Sequence, residues 1–348
     1  MLKTRCIKIT VLCLMCVSHS FAQYSGGTGS QSDPYLIDDL NGLITLKDST
    51  INFTGKTNDK HFKLTNDIII DNVSFIGGIG NNTHNFHGYF NGNKHKITHL
   101  GFSASIFGST GIYGVIENLI MDGFISFDRS YISPIVLTNN GLVQNCHNYA
   151  SVDITKENYA AGIVVSNRGV VQNCHNNAPI TSAWGYCGGI VTQQLRGSVL
   201  HCSNSGDITA SSYVWAGGII ASVSSNQGTG IFDINNFILD CQNTGSVKSF
   251  GNIAGGVVGF VSEYVSVKIS NCINYGFVSG DDMIGGIAGI VLNNSAYTKI
   301  ISNNSNFGVI SGNSNVGCII GLYSGTGSTS TVIIENNHYD KQMCGEEE

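Results

Sequence analysis

The chain has 348 residues with 44 Gly, only 3 Pro, 11% charged and 42% hydrophobic residues, and a net charge of -6. The hydrophobic share allows a large core and excludes a disordered chain, while so few charged residues leave little material for solvated amphipathic helices. The acidic balance, with no basic run beyond the first ten residues, excludes the electrostatic footprint of a nucleic-acid binder.

Residues 1–22 read as a secretory signal peptide. Lys3, Arg5 and Lys8 precede an apolar run from Ile9 to Val17, and Ser20-Phe21-Ala22 offers small residues where a signal peptidase cuts. The run is too short to span a bilayer. A lipoprotein reading of Cys13 or Cys16 is weaker, because Leu12 and Met15 before them are not small. Cleavage after Ala22 removes three basic residues and no acid, so the mature charge is -6 - 3 = -9. The expected location is secreted or cell surface, with no membrane-spanning segment.

Residues 23–110 form an expected N-terminal cap with the first coils, 111–340 a repeat region, and 341–348 a short acidic tail. The repeat is the dominant signal. Val143-Gln144-Asn145-Cys146-His147-Asn148 recurs as Val171-Gln172-Asn173-Cys174-His175-Asn176, then in looser form around Cys202, Cys241 and Cys272, with degenerate copies at Leu119, Asn304 and Asn337. Successive intervals are 27, 28, 28, 39, 31, 32 and 33 residues. A β-branched residue stands three before the Cys position, from Ile116 to Ile334. One before it stand only Asn, Asp or His, and a small-residue pair such as Gly188-Gly189 or Gly217-Gly218 opens a second strand.

A unit of about 30 residues with short strands cannot bury its own apolar side chains; stacked units can. Asn, Asp and His tolerate positive φ better than other non-Gly residues. The column Asn118, Asn145, Asn173, His201, Asp240, Asn271, Asn303, Asn336 is therefore a predicted left-handed corner. Parallel crossovers are right-handed in nearly all cases. The predicted fold is all-β, a right-handed parallel β-helix. The column Cys146, Cys174, Cys202, Cys241, Cys272 is expected to be a ladder of core thiols rather than disulfides, since buried Cys behaves as a small hydrophobe.

The Gly-x-Ile/Val-x-Asn-Cys unit joined to Gly-Gly-Ile, as in Gly169-Val170-Val171-Gln172-Asn173-Cys174, resembles GLUG-repeat proteins. Gly27-Thr28-Gly29-Ser30 with Asp33-Pro34-Tyr35-Leu36-Ile37, and Phe86-His87-Gly88-Tyr89-Phe90-Asn91-Gly92-Asn93, resemble the N-terminal part of secreted bacterial proteins of this kind. The resemblance covers about residues 27–341. It implies export and a surface role, adhesin-like in some members. The repeat also occurs in immunoglobulin A1 peptidases, whose zinc domain is separate; this chain has no His-Glu-x-x-His.

Candidate chemistry is sparse. Asp281 and Asp282 in Gly280-Asp281-Asp282 are the best local pair for the two carboxyls that glycoside hydrolysis needs, against a simple turn reading. His147 and His175, one rung apart, are weak metal candidates without a third ligand. No cofactor is expected. Tyr159, Tyr186 and Trp215 share one column, which faces either a ligand or the core, where Ile253 and Met283 continue it. Trp184 and Tyr213 share another. The predicted ligand-binding residues are Trp184, Tyr186, Tyr213 and Trp215. The leading expectation is a non-enzymatic, exported adhesion or scaffold solenoid that meets glycans or host and cell-surface proteins. The alternatives are a carbohydrate-active lyase or hydrolase on the same scaffold, and a stalk fragment of a larger surface protein.

Overall fold

The computed structural model describes residues 24–52, 55–70, 75, 77–101, 105–127, 131–155, 159–211, 215–225, 235–294, 297–326 and 331–344. The predicted signal peptide lies outside them. The described residues form a β-solenoid of parallel strands in four sheets of 11, 16, 8 and 7 strands.

One coil shows the plan. Leu142–Gln144 lies in the first sheet. His147–Asn148 and Ser151–Ile154 follow one another in the second, paired with the two halves of Ile120–Phe127. Tyr159–Ala161 lies in the third and Val164–Asn167 in the fourth, and Val170–Gln172 returns to the first. The next coil repeats this in register, with Val143 opposite Val171, Asn148 opposite Asn176, Val152 opposite Ile180 and Val164 opposite Val191.

The chain turns at the predicted corner. All eight residues of the Asn/Asp/His column have positive φ, from 51° at Asn173 to 58° at Asn303. This conformation is costly for bulky side chains, which accounts for the restricted residue set. Immediately after the corner the Cys column turns inward. Cys146, Cys174, Cys202, Cys241 and Cys272 are buried free thiols, each donating weakly to the carbonyl two residues before it, as Cys174 does to Gln172 at 3.3 Å. The β-branched column is fully buried from Ile116 to Ile301. Its last member is the exception: Ile334 is 46% exposed, because its strand, Val332–Glu335, is the last of the first sheet and among the described residues no coil covers it.

The interior is two cores rather than one. The main core holds the Cys and Ile/Val columns with Ile163, Ile190 and Ile219. A smaller one holds Val152, Ile180, Ile208, Ala160, Cys187 and Ala216. The waist between them is made by a ladder of wholly buried asparagines. Asn148, Asn176, Asn204, Asn243 and Asn274 each donate from Nδ2 to Oδ1 of the next rung, the last to Asn306, at 2.7–2.8 Å. Each also donates to the carbonyl two residues on, as Asn204 does to Gly206 at 2.8 Å. Glycine faces this ladder because nothing larger fits: a Cβ on Gly218 would lie 2.1 Å from the Gly256 carbonyl oxygen and 2.4 Å from Asn243 Cγ.

The N-terminal cap contains a feature that composition does not announce. Helix α1, Leu40–Asn52, starts at Asp39, whose Oδ1 accepts from the Gly42 amide at 2.8 Å, an N-cap that satisfies an otherwise orphan donor. Leu43 and Leu46 bury into the main core. At the other end, Cys318 and Cys344 form a disulfide with Cα atoms 5.4 Å apart. It ties the short helix Lys341–Cys344 to the last coils. This pair lies outside the thiol ladder and was not foreseen from the repeat.

Candidate functional site

The aromatic column is a continuous stack on the outside of the third sheet. Tyr159 and Tyr186 have ring centroids 4.7 Å apart at 13°, Tyr186 and Trp215 4.3 Å at 1°, and Trp215 and Phe260 3.9 Å at 11°. Tyr159, Tyr186 and Trp215 are half-buried, while Ile253, which continues the column beside Trp215, is buried. Tyr186 also packs against the smaller core, while Ile253 belongs to neither core. Burial pushes the Tyr159 hydroxyl up to about 12, with the neighbouring Tyr186 adding to it. Trp184 is exposed, at 57%. Tyr213 lies outside the described residues. Two members of the stack were not singled out from the sequence. Phe260 belongs to the fourth sheet, opposite Ser222, and stacks on Trp215 of the third. Tyr131 packs edge-on against Tyr159 at 4.8 Å and 65°.

Beside Tyr131 lies an open groove of about 410 Å³. Its lining includes Asn81 and Asn82 from the N-terminal region and Thr138 and Ser166 from the fourth sheet. Thr138, Ser166 and Gln193 occupy one column of that sheet.

His147 and His175 stack with ring centroids 4.8 Å apart at 27°, and His175 Nδ1 lies 2.6 Å from Ser203 Oγ. Burial holds both imidazoles below the usual histidine range, and for His147 the His175 ring adds to the effect. His201 stands at the corner, its Nδ1 3.7 Å from Asp240 Oδ2. Among the described residues no group of three or more His, Cys, Asp and Glu is placed to hold a metal ion.

Asp281 and Asp282 are bonded to the next coil. Asn313 Nδ2 donates to Asp281 Oδ1 at 2.6 Å. Asp282 Oδ1 accepts from Ser314 Oγ at 2.7 Å, Asn315 Nδ2 at 2.6 Å and the Met283 amide at 2.9 Å. The Ser314 and Asn315 bonds hold the Asp282 carboxyl below its usual range. Arg168 and Arg196, at equivalent turns, are joined by Arg196 Nε donating to the Arg168 carbonyl at 3.2 Å.

The buried asparagine ladder was the main feature missed from sequence. Its signal was present: Asn recurs two residues after the Cys position in six copies, at 148, 176, 204, 243, 274 and 306.

No family model matches the chain. It is 29% identical over 154 residues to a "Putative Gly-rich membrane protein" of Evansella cellulosilytica, covering 39% of this chain and 17% of that one. It is 30% identical over 133 residues to Halomucin of Haloquadratum walsbyi, covering 34% of this chain and 1% of that one. The matched segments therefore span a small part of those relatives. The crystal structure of a "putative immunoglobulin A1 protease" from Bacteroides ovatus superposes with a TM-score of 0.55 at 19% identity, covering 91% of this chain and 87% of that one. At that identity the likeness establishes the shared fold, a parallel β-solenoid.

Proposed function

We propose that the chain is an exported, non-enzymatic β-solenoid of the GLUG-repeat kind, a surface or secreted scaffold and adhesion module. The observation that supports this most is where its polar chemistry goes. The Asp281 and Asp282 carboxylates are bonded to Asn313, Ser314 and Asn315 of the next coil, and His175 is engaged by Ser203. These groups join rungs instead of converging on a cleft, whereas catalytic acids and bases must face a substrate. The names of the two relatives, a membrane protein and Halomucin, support a location at the cell surface. Among the described residues no helix is long and apolar enough to cross a membrane.

The test is fractionation of cells expressing the full chain, with the mature terminus sequenced, and a depolymerisation screen of the secreted protein on plant and microbial polysaccharides. Surface or medium recovery, a terminus at Gln23 and no depolymerisation are expected. Cytoplasmic retention overturns the reading, as does polysaccharide cleavage that Asp282→Asn abolishes.

A further inference from the structure

The inner rings of the aromatic stack, Tyr186 and Trp215, offer no bare face to a sugar. Stacking a pyranose needs a bare ring face, and in a face-to-face run each ring covers its neighbour. Tyr186 has Tyr159 on one face and Trp215 on the other, and Trp215 lies between Tyr186 and Phe260. The run changes character at its N-terminal end. Tyr131 meets Tyr159 at 65°, so whichever ring supplies the edge, at least one face of Tyr131 stays outside the stack. Tyr131 is 48% exposed and lines the groove.

We infer that this groove, bounded by Tyr131, Asn81, Asn82, Thr138 and Ser166, is a binding site for neutral oligosaccharides. The inference rests on the adhesion reading above and gives it a ligand class.

Three features of the groove select that class. Its volume of about 410 Å³ falls within the roughly 300–1,000 Å³ of small-molecule sites. Its polar groups are amides and hydroxyls, and among the described residues none of the lining groups is charged at neutral pH. A sulfate or uronate carboxylate would lose water there without gaining a cation, whereas a neutral polyol offers hydroxyls to the amides and a C–H face to the ring. The Asn81 amide is also oriented. Asn81 Oδ1 is turned back onto its own loop, accepting from the Thr83 amide at 2.9 Å, Thr83 Oγ1 at 2.7 Å and the His84 amide at 2.8 Å. That leaves the Asn81 NH₂ as a donor. Gly78 and Gly80 keep this loop tight against the neighbouring strand, since a Cβ on Gly80 would lie 2.4 Å from the Ser109 carbonyl oxygen.

The test is a glycan array of neutral and anionic glycans probed with the full chain, followed by calorimetry on the hits and on a uronate tetramer from polygalacturonic acid. Two variants are compared. Tyr131→Ala removes the ring, and Ser166→Phe fills the groove. Phenylalanine is tolerated on that column, where the chain already carries Phe260. Neutral glycans are expected to bind at least tenfold more tightly than the uronate. Each variant should weaken them at least tenfold, with thermal unfolding of Ser166→Phe unchanged. Trp184→Ala should bind as the parent does. An array on which no neutral glycan binds, a preference for anionic glycans or a protein partner, or unchanged binding by folded Ser166→Phe each overturns the inference. Loss of binding in Trp184→Ala alone also overturns it, moving the site to the exposed tryptophan. The location test of the adhesion reading is independent of all these outcomes.

Discussion

Asn204 Nδ2 donates to Asn243 Oδ1 at 2.8 Å although 39 residues separate them, whereas the preceding step of the same ladder, Asn176 to Asn204, spans 28. Most of the extra residues fall between Val223 and Asn235, and the register does not shift, for Ile208 still faces Val247 and Ile220 faces Val258. Loop closure grows costly only slowly with length, while a slipped register would tear the ladder, so the insertion is cheap and the register is not.

Asn204→Ala removes one rung of that ladder. It strands the Asn176 Nδ2 donor, the Asn243 Oδ1 acceptor and the Gly206 carbonyl in a site that is 1% exposed at Asn204. Each buried orphan costs about 1–3 kcal/mol, so a loss of about 3 kcal/mol or more is expected by urea denaturation. A loss under 1 kcal/mol would show that water or repacking satisfies the waist.

Gly218→Ala should be at least as damaging, because its Cβ would meet both the Gly256 carbonyl and the Asn243 side chain. One of these is backbone in the next coil, so the strain cannot be relieved by a rotamer change. The expected loss is about 3 kcal/mol, within the overpacking range. Gly77→Ala, with nothing within 4 Å of its Cβ but a φ of 75°, should lose only the 1–2 kcal/mol or so of left-handed strain. Thermal melts of the pair separate crowding from strain.

Acid should weaken the fold before carboxylates titrate. His99 is wholly buried, and desolvation pushes its imidazole from 6.5 down to about 4. Below pH 6.5 the unfolded chain takes up the proton and the folded chain does not. Stability is therefore full above about 6.5, falls as pH drops, and levels near pH 4, with a total loss of about 3 kcal/mol. The lowered His147 and His175 act in the same direction. Urea midpoints from pH 7.5 to 4.5 measure the slope, which His99→Gln should flatten; an unchanged slope would assign the pH dependence to other groups.

The cysteines should divide into two chemical classes. Cys146, Cys174, Cys187, Cys202, Cys241 and Cys272 are buried thiols, and burial pushes Cys187 and Cys272 well up, so iodoacetamide should label these six only after denaturation. Cys318 and Cys344 should label only after reduction. Cutting that bond by Cys344→Ser should cost about 3 kcal/mol for a loop of this size and open the chain to trypsin at Lys341. Prompt native labelling of any ladder thiol would contradict its burial.

The sequence by itself determined the coil. Period, the Asn/Asp/His corner and the inward Cys and Ile/Val columns were legible because each is a local requirement repeated once per rung, so eight copies of one constraint stand in one chain. It also held the ladder Asn148 to Asn306 in plain spacing, but only the fold shows why Asn stands there: two cores meet along that line, and glycines such as Gly218, in the bend between the third and fourth sheets and 25 residues before Asn243, press against it. Features that occur once were decided by tertiary structure alone. Asp39 caps a single helix, Cys318 meets Cys344 because the tail folds back, and the Phe260 side chain reaches from the fourth sheet to cover Trp215. The groove at Tyr131 is of this kind. It joins residues from three distant segments, and no periodic pattern encodes a contact made at only one place along the solenoid.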